Sequence, residues 1–247
     1  MLDNEALSFI EKSQYDGSDL YYSLLYQDKN SKRFLSLLFA IEYELIQITT
    51  NIQDLGIARQ KLQWWQEELL RGLNNEARHP LTKSFASTDY INPDIFNDLF
   101  HCVINCQTLL NPYVVNTSNE YIKLFKTNFG ALWDISQSIS HQSSESNIEL
   151  IGTCRYYLYA LSNRHLLQQQ GREILPQTVS IFDCYKTIID SLEKVEIPRS
   201  ELRLNYARIM KDLLLLYCKA SIQKQDDDFR GITPLRKLLQ AWYVKTF

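Results

Sequence analysis

The apolar residues of this chain recur every three or four positions, which is the period of an amphipathic α-helix. In the stretch 57–71 the recurring apolar side chains are Ala58, Leu62, Trp65 and Leu69. Gly72 follows this stretch, and glycine commonly ends a helix. Because neighbouring helix positions point about 100° apart, Trp64 and Trp65 cannot share a face. We expect one of them to fill the core and the other to pack against a second helix.

The same period continues through the rest of the chain. The helices expected to wall the interior cover residues 33–48, 56–72, 119–141, 148–169 and 199–223. Glycine is scarce, at 7 residues, and there are 6 prolines. A β-barrel or sandwich needs more turn residues, and a nucleotide-binding fold needs glycine-rich loops. The sequence therefore predicts an all-α fold, with one domain over residues 1–247 that forms a large helical bundle.

Charge and cysteine content restrict the function and the compartment. The formal net charge is −3, so the basic footprint of a nucleic-acid-binding protein is absent and we expect no nucleic-acid partner. The five cysteines are an odd number without tight spacing, which is typical of reduced thiols. The acidic start of the chain argues against a targeting peptide. No apolar run approaches the ~20 residues that a membrane-spanning helix needs. The expected location is cytoplasmic.

Two clusters of chemically active side chains have simple structural interpretations. Cys102 and Cys106 lie one helical turn apart beside His101, but a tetrahedral metal site needs further ligands that no similar pair supplies. We expect these cysteines to pack in the core. Asp226–Asp228 is the densest acidic run, but consecutive side chains point in different directions. We interpret it as a solvated turn or a helix cap.

Basic residues offer two further hypotheses. Arginines could gather around a phosphate, although surface solvation or salt bridging is the usual role of an arginine taken alone; the candidates are Arg33, Arg155, Arg164 and Arg172. The stretch 234–247 is a basic amphipathic segment carrying Leu235, Leu238, Leu239, Trp242 and Tyr243. It could lie on an anionic membrane surface, or it could dock onto the body of the protein.

Several segments, in this order, resemble the squalene/phytoene synthase family, whose all-helical members join two prenyl diphosphates head to head. The matching segments are Arg33 with Leu37–Leu45, Trp64–Trp65 with His79–Pro80, Phe129–Leu132, Ile151–Gly152, Asn163–Arg164 and Gly171–Pro176. The resemblance implies an isoprenoid-synthase bundle around a central cavity. It implies diphosphate binding by Arg33, Arg164 and Arg172, and a cavity lined by Ile41, Leu45, Phe129, Leu158 and Leu161.

The sequence departs from that family at both acidic motifs. Active members carry D-D-x-x-D where this chain has Ile46–Thr50, and they carry acids after the arginine where this chain has His165–Gln170. Those carboxylates hold the Mg²⁺ that assists ionisation of the diphosphate. In lacking both acidic motifs, the chain resembles a degenerate branch of the family that includes mitochondrial complex I assembly factors. We therefore predict no catalytic residues, no metal site and no cofactor.

Three functions follow from this resemblance. The first is a non-catalytic protein that binds an isoprenoid or lipid or supports assembly, with possible peripheral membrane contact through 234–247. The second is a divergent prenyltransferase that uses Mg²⁺ to condense farnesyl or geranylgeranyl diphosphate. The third is a purely structural helical scaffold with a filled core.

Overall fold

A computed structural model describes residues 4–111, 115–140, 146–175, 179–224 and 232–246. Over those ranges the secondary structure is helical and contains no β-strand, so the predicted all-α fold is confirmed. The α-helices are α1 Asn4–Ser13, α2 Asp19–Ser23, α3 Lys29–Asn51, α4 Leu55–Leu73, α5 Pro80–Ala86, α6 Pro93–Cys106, α7 Ser118–Phe125, α8 Ala131–Ile135, α9 Glu149–Ser162, α10 Arg164–Gln169, α11 Ile181–Glu193, α12 Asn205–Lys224 and α13 Pro234–Thr246.

Helix α3 is the central helix of the bundle. Asp28 caps its first turn, because the carboxylate accepts hydrogen bonds from the backbone N–H groups of Asn30 and Ser31. Most of the helix is buried on every side from Phe34 to Thr50, and a helix that is apolar all round belongs in a core. The cap starts α3 four residues before the predicted position of 33.

The predicted single helix over 119–141 is interrupted. Helix α7 is followed by a π-helical turn at Lys126–Gly130, by α8, and by a 3₁₀ turn at Ser136–Ile139. The amide of Asn128 donates to the Leu124 carbonyl (3.2 Å) and accepts from the Phe129 N–H (2.8 Å). These side-chain bonds compete with the regular backbone ladder, which accounts for the break.

Two glycines bring this interrupted region against α9. A Cβ at Gly152 would lie 2.4 Å from Cδ1 of Trp133, and a Cβ at Gly130 would lie 2.4 Å from Oγ1 of Thr153. Such distances are well inside van der Waals contact. The crossing therefore requires glycine on both sides, and it fixes the depth at which Trp133 enters the core.

The predicted helix over 148–169 is also divided, at Asn163. Its side-chain amide donates to the Tyr159 carbonyl at 2.8 Å and ends α9. Helix α10 then starts at Arg164. His165, in the first turn of α10, is exposed. The predicted helix over 199–223 begins later, at Asn205, after a 3₁₀ turn at Leu202–Leu204.

The paired tryptophans and cysteines have clear positions. Trp65 is 3% exposed and fills the core as expected, whereas Trp64 is 41% exposed. The ring of Trp64 packs on His79, the N-cap of α5, with 5.6 Å between ring centroids. Cys102 and Cys106 are buried, which confirms their predicted core packing, and burial raises the pKa of Cys102 to about 12. Asp226–Asp228 lies outside the described residues.

Candidate functional site

A buried carboxylate connects α3, α8 and α9. Glu42 has no exposed surface. Its Oε1 accepts a hydrogen bond from Nε1 of Trp133 at 2.9 Å, and its Oε2 pairs with the guanidinium of Arg155. Burial raises the pKa of Glu42, and Arg155 and Trp133 partly oppose that shift. The Arg155 side chain stays 20% exposed, so the triad extends from the core to the surface.

Arg155 opens onto a cleft of about 240 Å³ between α3 and α9, which we call the α3–α9 cleft. Its apolar wall consists of Leu20, Ile46, Leu158 and Leu214. Its hydroxyl groups come from Ser13, Tyr15, Ser18, Tyr43, Tyr159 and Ser162. The cleft thus has an apolar side, neutral hydroxyl groups, and two charged groups, the guanidinium of Arg155 and the carboxylate of Asp19. Asp19 pairs with Nζ of Lys237 at 2.8 Å.

The C-terminal end of α3 lies next to this cleft and meets the segment that follows α9. Nε2 of Gln170 donates to the Thr50 carbonyl at 3.2 Å. Nη1 of Arg172 donates to the carbonyls of Thr49 and Leu109. We call these contacts the α3–α10 junction. A guanidinium at the carboxyl end of a helix is favourable because the helix dipole is negative there.

Tyr156 is buried beside the same junction. It is 2% exposed and stacks on Phe129 with 4.0 Å between ring centroids. Burial raises the pKa of Tyr156 to about 12, although the hydroxyls of Thr49 and Thr50 and the charge of Arg172 act in the opposite direction. The tyrosine is therefore a neutral hydrogen-bonding group at neutral pH.

The three arginines proposed for diphosphate binding have different surroundings. Arg172 is 1% exposed and lies at the α3–α10 junction. Arg164 is half-buried, donates to the Leu161 carbonyl at 3.3 Å and lines a separate surface depression with Glu173. Arg33 lies near the opposite end of α3, roughly 24 Å along the helix axis from Thr49, and bonds to Ser87 at 2.7 Å. The fold therefore does not bring Arg33 to the junction.

The five residues proposed to line a cavity are all buried. Ile41, Leu45, Phe129 and Leu161 are 0% exposed, and Leu158 is 2% exposed. All five belong to the main apolar core. Leu158 also lines the α3–α9 cleft.

The described residues of the junction do not suit Mg²⁺. Hard divalent cations prefer carboxylate oxygens, whereas the groups that meet here are an amide, a guanidinium and backbone carbonyls that already accept hydrogen bonds. Across the described ranges, no group of three or more His, Cys, Asp or Glu side chains is arranged to hold a metal ion.

Sequence reasoning missed Glu42 and considered Arg155 only as a phosphate-binding candidate or as a solvated or salt-bridged surface residue. The signal is present in the helical period. Glu42 shares an inward stripe with Leu38 and Leu45, and Arg155 shares one with Ile151 and Leu158. A charged residue on an apolar stripe indicates a buried pair, since burial of an isolated charge is very unfavourable.

Comparison with known proteins adds no identification. No family model matches the chain, and a search of curated proteins found no match. The similarity to squalene/phytoene synthases therefore remains a prediction from the residues themselves.

Proposed function

We propose that this protein is a non-catalytic, isoprenoid-synthase-like protein that binds one isoprenoid or lipid chain in the α3–α9 cleft. The observation that carries this proposal is the α3–α10 junction. Two segments stand in place of the acidic motifs, Ile46–Thr50 and Arg164–Gln170. Gln170 of the second segment donates a hydrogen bond to the carbonyl of Thr50 in the first, and Arg172 donates to the carbonyl of Thr49. A fixed guanidinium occupies the end of α3, where the resemblance would place carboxylates and Mg²⁺.

The cleft has the chemistry of a site for an amphiphile. An apolar chain would contact Ile46, Leu158 and Leu214, while the hydroxyl groups and Arg155 would face a polar head group. The carboxylate of Asp19 also lines the cleft, and its pairing with Lys237 offsets its negative charge. Small-molecule pockets usually begin at roughly 300 Å³, and the cleft measures about 240 Å³. This volume favours one chain of moderate length over the two prenyl diphosphates that a condensation reaction requires.

A helical scaffold, including one that supports assembly of a larger complex, is the second candidate function. The packing of the core favours it, because Ile41, Leu45, Phe129 and Leu161 have no exposed surface. A scaffold of this kind would need no ligand. The prenyltransferase alternative would instead need product formation that depends on Mg²⁺.

Thermal unfolding distinguishes these functions. The protein is heated with farnesol, farnesyl diphosphate or geranylgeranyl diphosphate, each with Mg²⁺ and with a chelator. A ligand at 100 times its Kd raises the free energy of unfolding by about 2.7 kcal/mol, which corresponds to a Tm increase of roughly 5–10 °C for a chain of this size. We expect an increase of this order that is the same with and without Mg²⁺.

A plugged variant tests whether the ligand occupies the cleft. Ser162→Phe adds a ring at the cleft wall, and Ser8→Phe adds the same ring on the exposed side of α1. The first change should abolish the Tm increase, and the second should leave it intact. Conversion of a diphosphate to a condensed product only with Mg²⁺ would support the prenyltransferase function instead. If no ligand raises the Tm, the result would favour the structural scaffold.

A further inference from the structure

Helix α13 directs the more apolar of its two faces to solvent. The side chains of its outward stripe are Leu235, Leu238, Leu239 and Trp242, with exposed fractions of 67%, 39%, 56% and 52%. Its inward stripe consists of Lys237, Gln240, Ala241 and Val244. An amphipathic helix of a globular protein normally does the reverse, so the outward stripe needs an explanation.

Polar contacts hold the inward face in this orientation. Nζ of Lys237 pairs with Oδ1 of Asp19 at 2.8 Å and donates to the Gly17 carbonyl at 2.9 Å. Nε2 of Gln240 donates to Oδ2 of Asp212 at 3.0 Å. Lys237 and Gln240 lie on the same side of α13 as the buried Ala241. The outward direction of the leucine stripe is therefore specified by contacts on the opposite side.

Two exposed basic residues of α13, Arg236 and Lys245, accompany this stripe. The helix carries no acidic residue, and its third basic residue, Lys237, lies on the inward face. Beside its C-terminal half, a depression of about 280 Å³ is lined by Arg199, Arg208 and Lys211, with Asp212 and Tyr243. Burial and the nearby charge of Arg199 lower the pKa of Arg208. Basic side chains are thus concentrated beside α13, although the chain as a whole has a net charge of −3.

We propose that α13 and this depression form a surface that binds anionic membranes. The outward stripe of α13 enters the interfacial layer of the lipid, and the Arg199–Arg208–Lys211 depression binds a lipid phosphate. Stable peripheral binding needs two signals, and an apolar insertion combined with a basic patch provides them. Tryptophan is also favoured at the boundary between lipid and water.

A second copy of the chain fits this surface less well. A symmetric dimer places the same patch on both sides of the interface, so the basic residues of one copy would lie among the basic residues of the other. Juxtaposed like charges are unfavourable by several kcal/mol, whereas anionic lipids neutralise them. Membrane binding by this surface needs no ligand in the α3–α9 cleft, so it is independent of the proposed function.

Sedimentation with vesicles tests this proposal on the full chain. We expect binding to phosphatidylcholine vesicles that contain phosphatidylglycerol, weaker binding to pure phosphatidylcholine, and weaker binding at high salt. Leu239→Ser should weaken binding about tenfold, because it removes one inserted leucine. Arg199→Gln should weaken it about fivefold, the usual effect of one basic residue near an anionic surface.

Matched variants on α4 serve as controls. Ile57 is 48% exposed and Arg59 is exposed, so Ile57→Ser and Arg59→Gln make the same chemical changes elsewhere. They should bind vesicles like the unmodified protein. The proposal is overturned if no vesicle binds, if the α4 variants lose as much binding as Leu239→Ser and Arg199→Gln, or if those two variants bind vesicles like the unmodified protein. A dimer that Leu239→Ser dissociates, without vesicle binding, would identify a second copy as the occupant.

Discussion

The buried acid Glu42 is the residue on which the packing of three helices depends. Its two oxygens satisfy the indole N–H of Trp133 and the guanidinium of Arg155. Removal of one partner from such a pair leaves an uncompensated charge, which destabilises a protein more than the pair itself stabilises it. Glu42 therefore holds α3 against α8 and α9. It also positions the guanidinium of Arg155, which lines the α3–α9 cleft.

Glu42→Ala is expected to lower the free energy of unfolding by roughly 3–5 kcal/mol, because Arg155 and the Trp133 indole lose their acceptor together. Urea denaturation monitored by circular dichroism measures this change. Glu67→Ala is the control, since the Glu67 side chain is 53% exposed and lies 3.8 Å from Arg71. Such an exposed pair contributes roughly 0.5 kcal/mol. Equal effects in the two variants would contradict the role assigned to Glu42.

At the scale of elements, the turn between α4 and α5 is organised by a second buried carboxylate. Oε1 of Glu68 accepts hydrogen bonds from the backbone N–H groups of Arg78 and His79, both at 2.6 Å, and Oε2 pairs with Nε of Arg71 at 3.0 Å. His79 in turn caps α5, because its Nδ1 accepts from the Leu81 N–H at 3.3 Å. Burial lowers the pKa of His79, which keeps that nitrogen available as an acceptor.

The stability contributed by Glu68 should depend on pH. Burial alone would raise its pKa, but hydrogen bonds from His79, Arg71 and Arg78 outweigh burial and lower the pKa below its ordinary value of 4.5. A lowered pKa in the folded state means that the stabilisation is complete above pH 4.5 and is lost as the pH falls through the folded value.

Glu68→Gln is therefore expected to lower stability by roughly 1.5–3 kcal/mol at neutral pH. The difference from the unmodified protein should narrow as the pH falls below 4.5. Urea denaturation at a series of pH values measures both effects. A difference that stays constant or widens towards low pH would contradict the assignment. Glu67→Gln, at an exposed position of the same helix, should show almost no difference at any pH.

At the scale of the whole molecule, one apolar core draws residues from α1 through α12, and α13 is attached outside it. The main core cluster extends from Ala6 to Cys218. Helix α13 covers a smaller cluster of Tyr22, Ile209 and Leu213, to which it contributes Ala241. No helix in the described part of the chain is long and apolar enough to cross a membrane.

Deletion of residues 234–247 should leave a folded helical protein with reduced stability. The loss of α13 uncovers Ile209 and Leu213, which corresponds to roughly 2–4 kcal/mol, or a Tm decrease of about 5–15 °C. Circular dichroism at low temperature should still show the helical spectrum. A truncated chain that is unfolded would show instead that α13 is part of the core, and the vesicle experiment would then rest on the point variants.

Helical period and residue chemistry were sufficient to predict the all-α class, the core position of Trp65 and the burial of Cys102 and Cys106. These are local properties, since a stripe repeated every three or four residues selects a helix and its buried face. They do not determine where two helices cross or where a side chain competes with the backbone. For this reason the breaks at Asn128 and Asn163 were not predicted.

The amino-acid sequence by itself determined the helical class, most of the buried faces and the absence of acids at Ile46–Thr50 and His165–Gln170. Only the tertiary structure decided that Glu42 binds Arg155, that Gln170 and Arg172 close the end of α3, and that α13 turns its leucines outward. The physical reason is that each of these depends on partners far apart in the chain. Their distances follow from how whole helices pack, which no short-range period encodes.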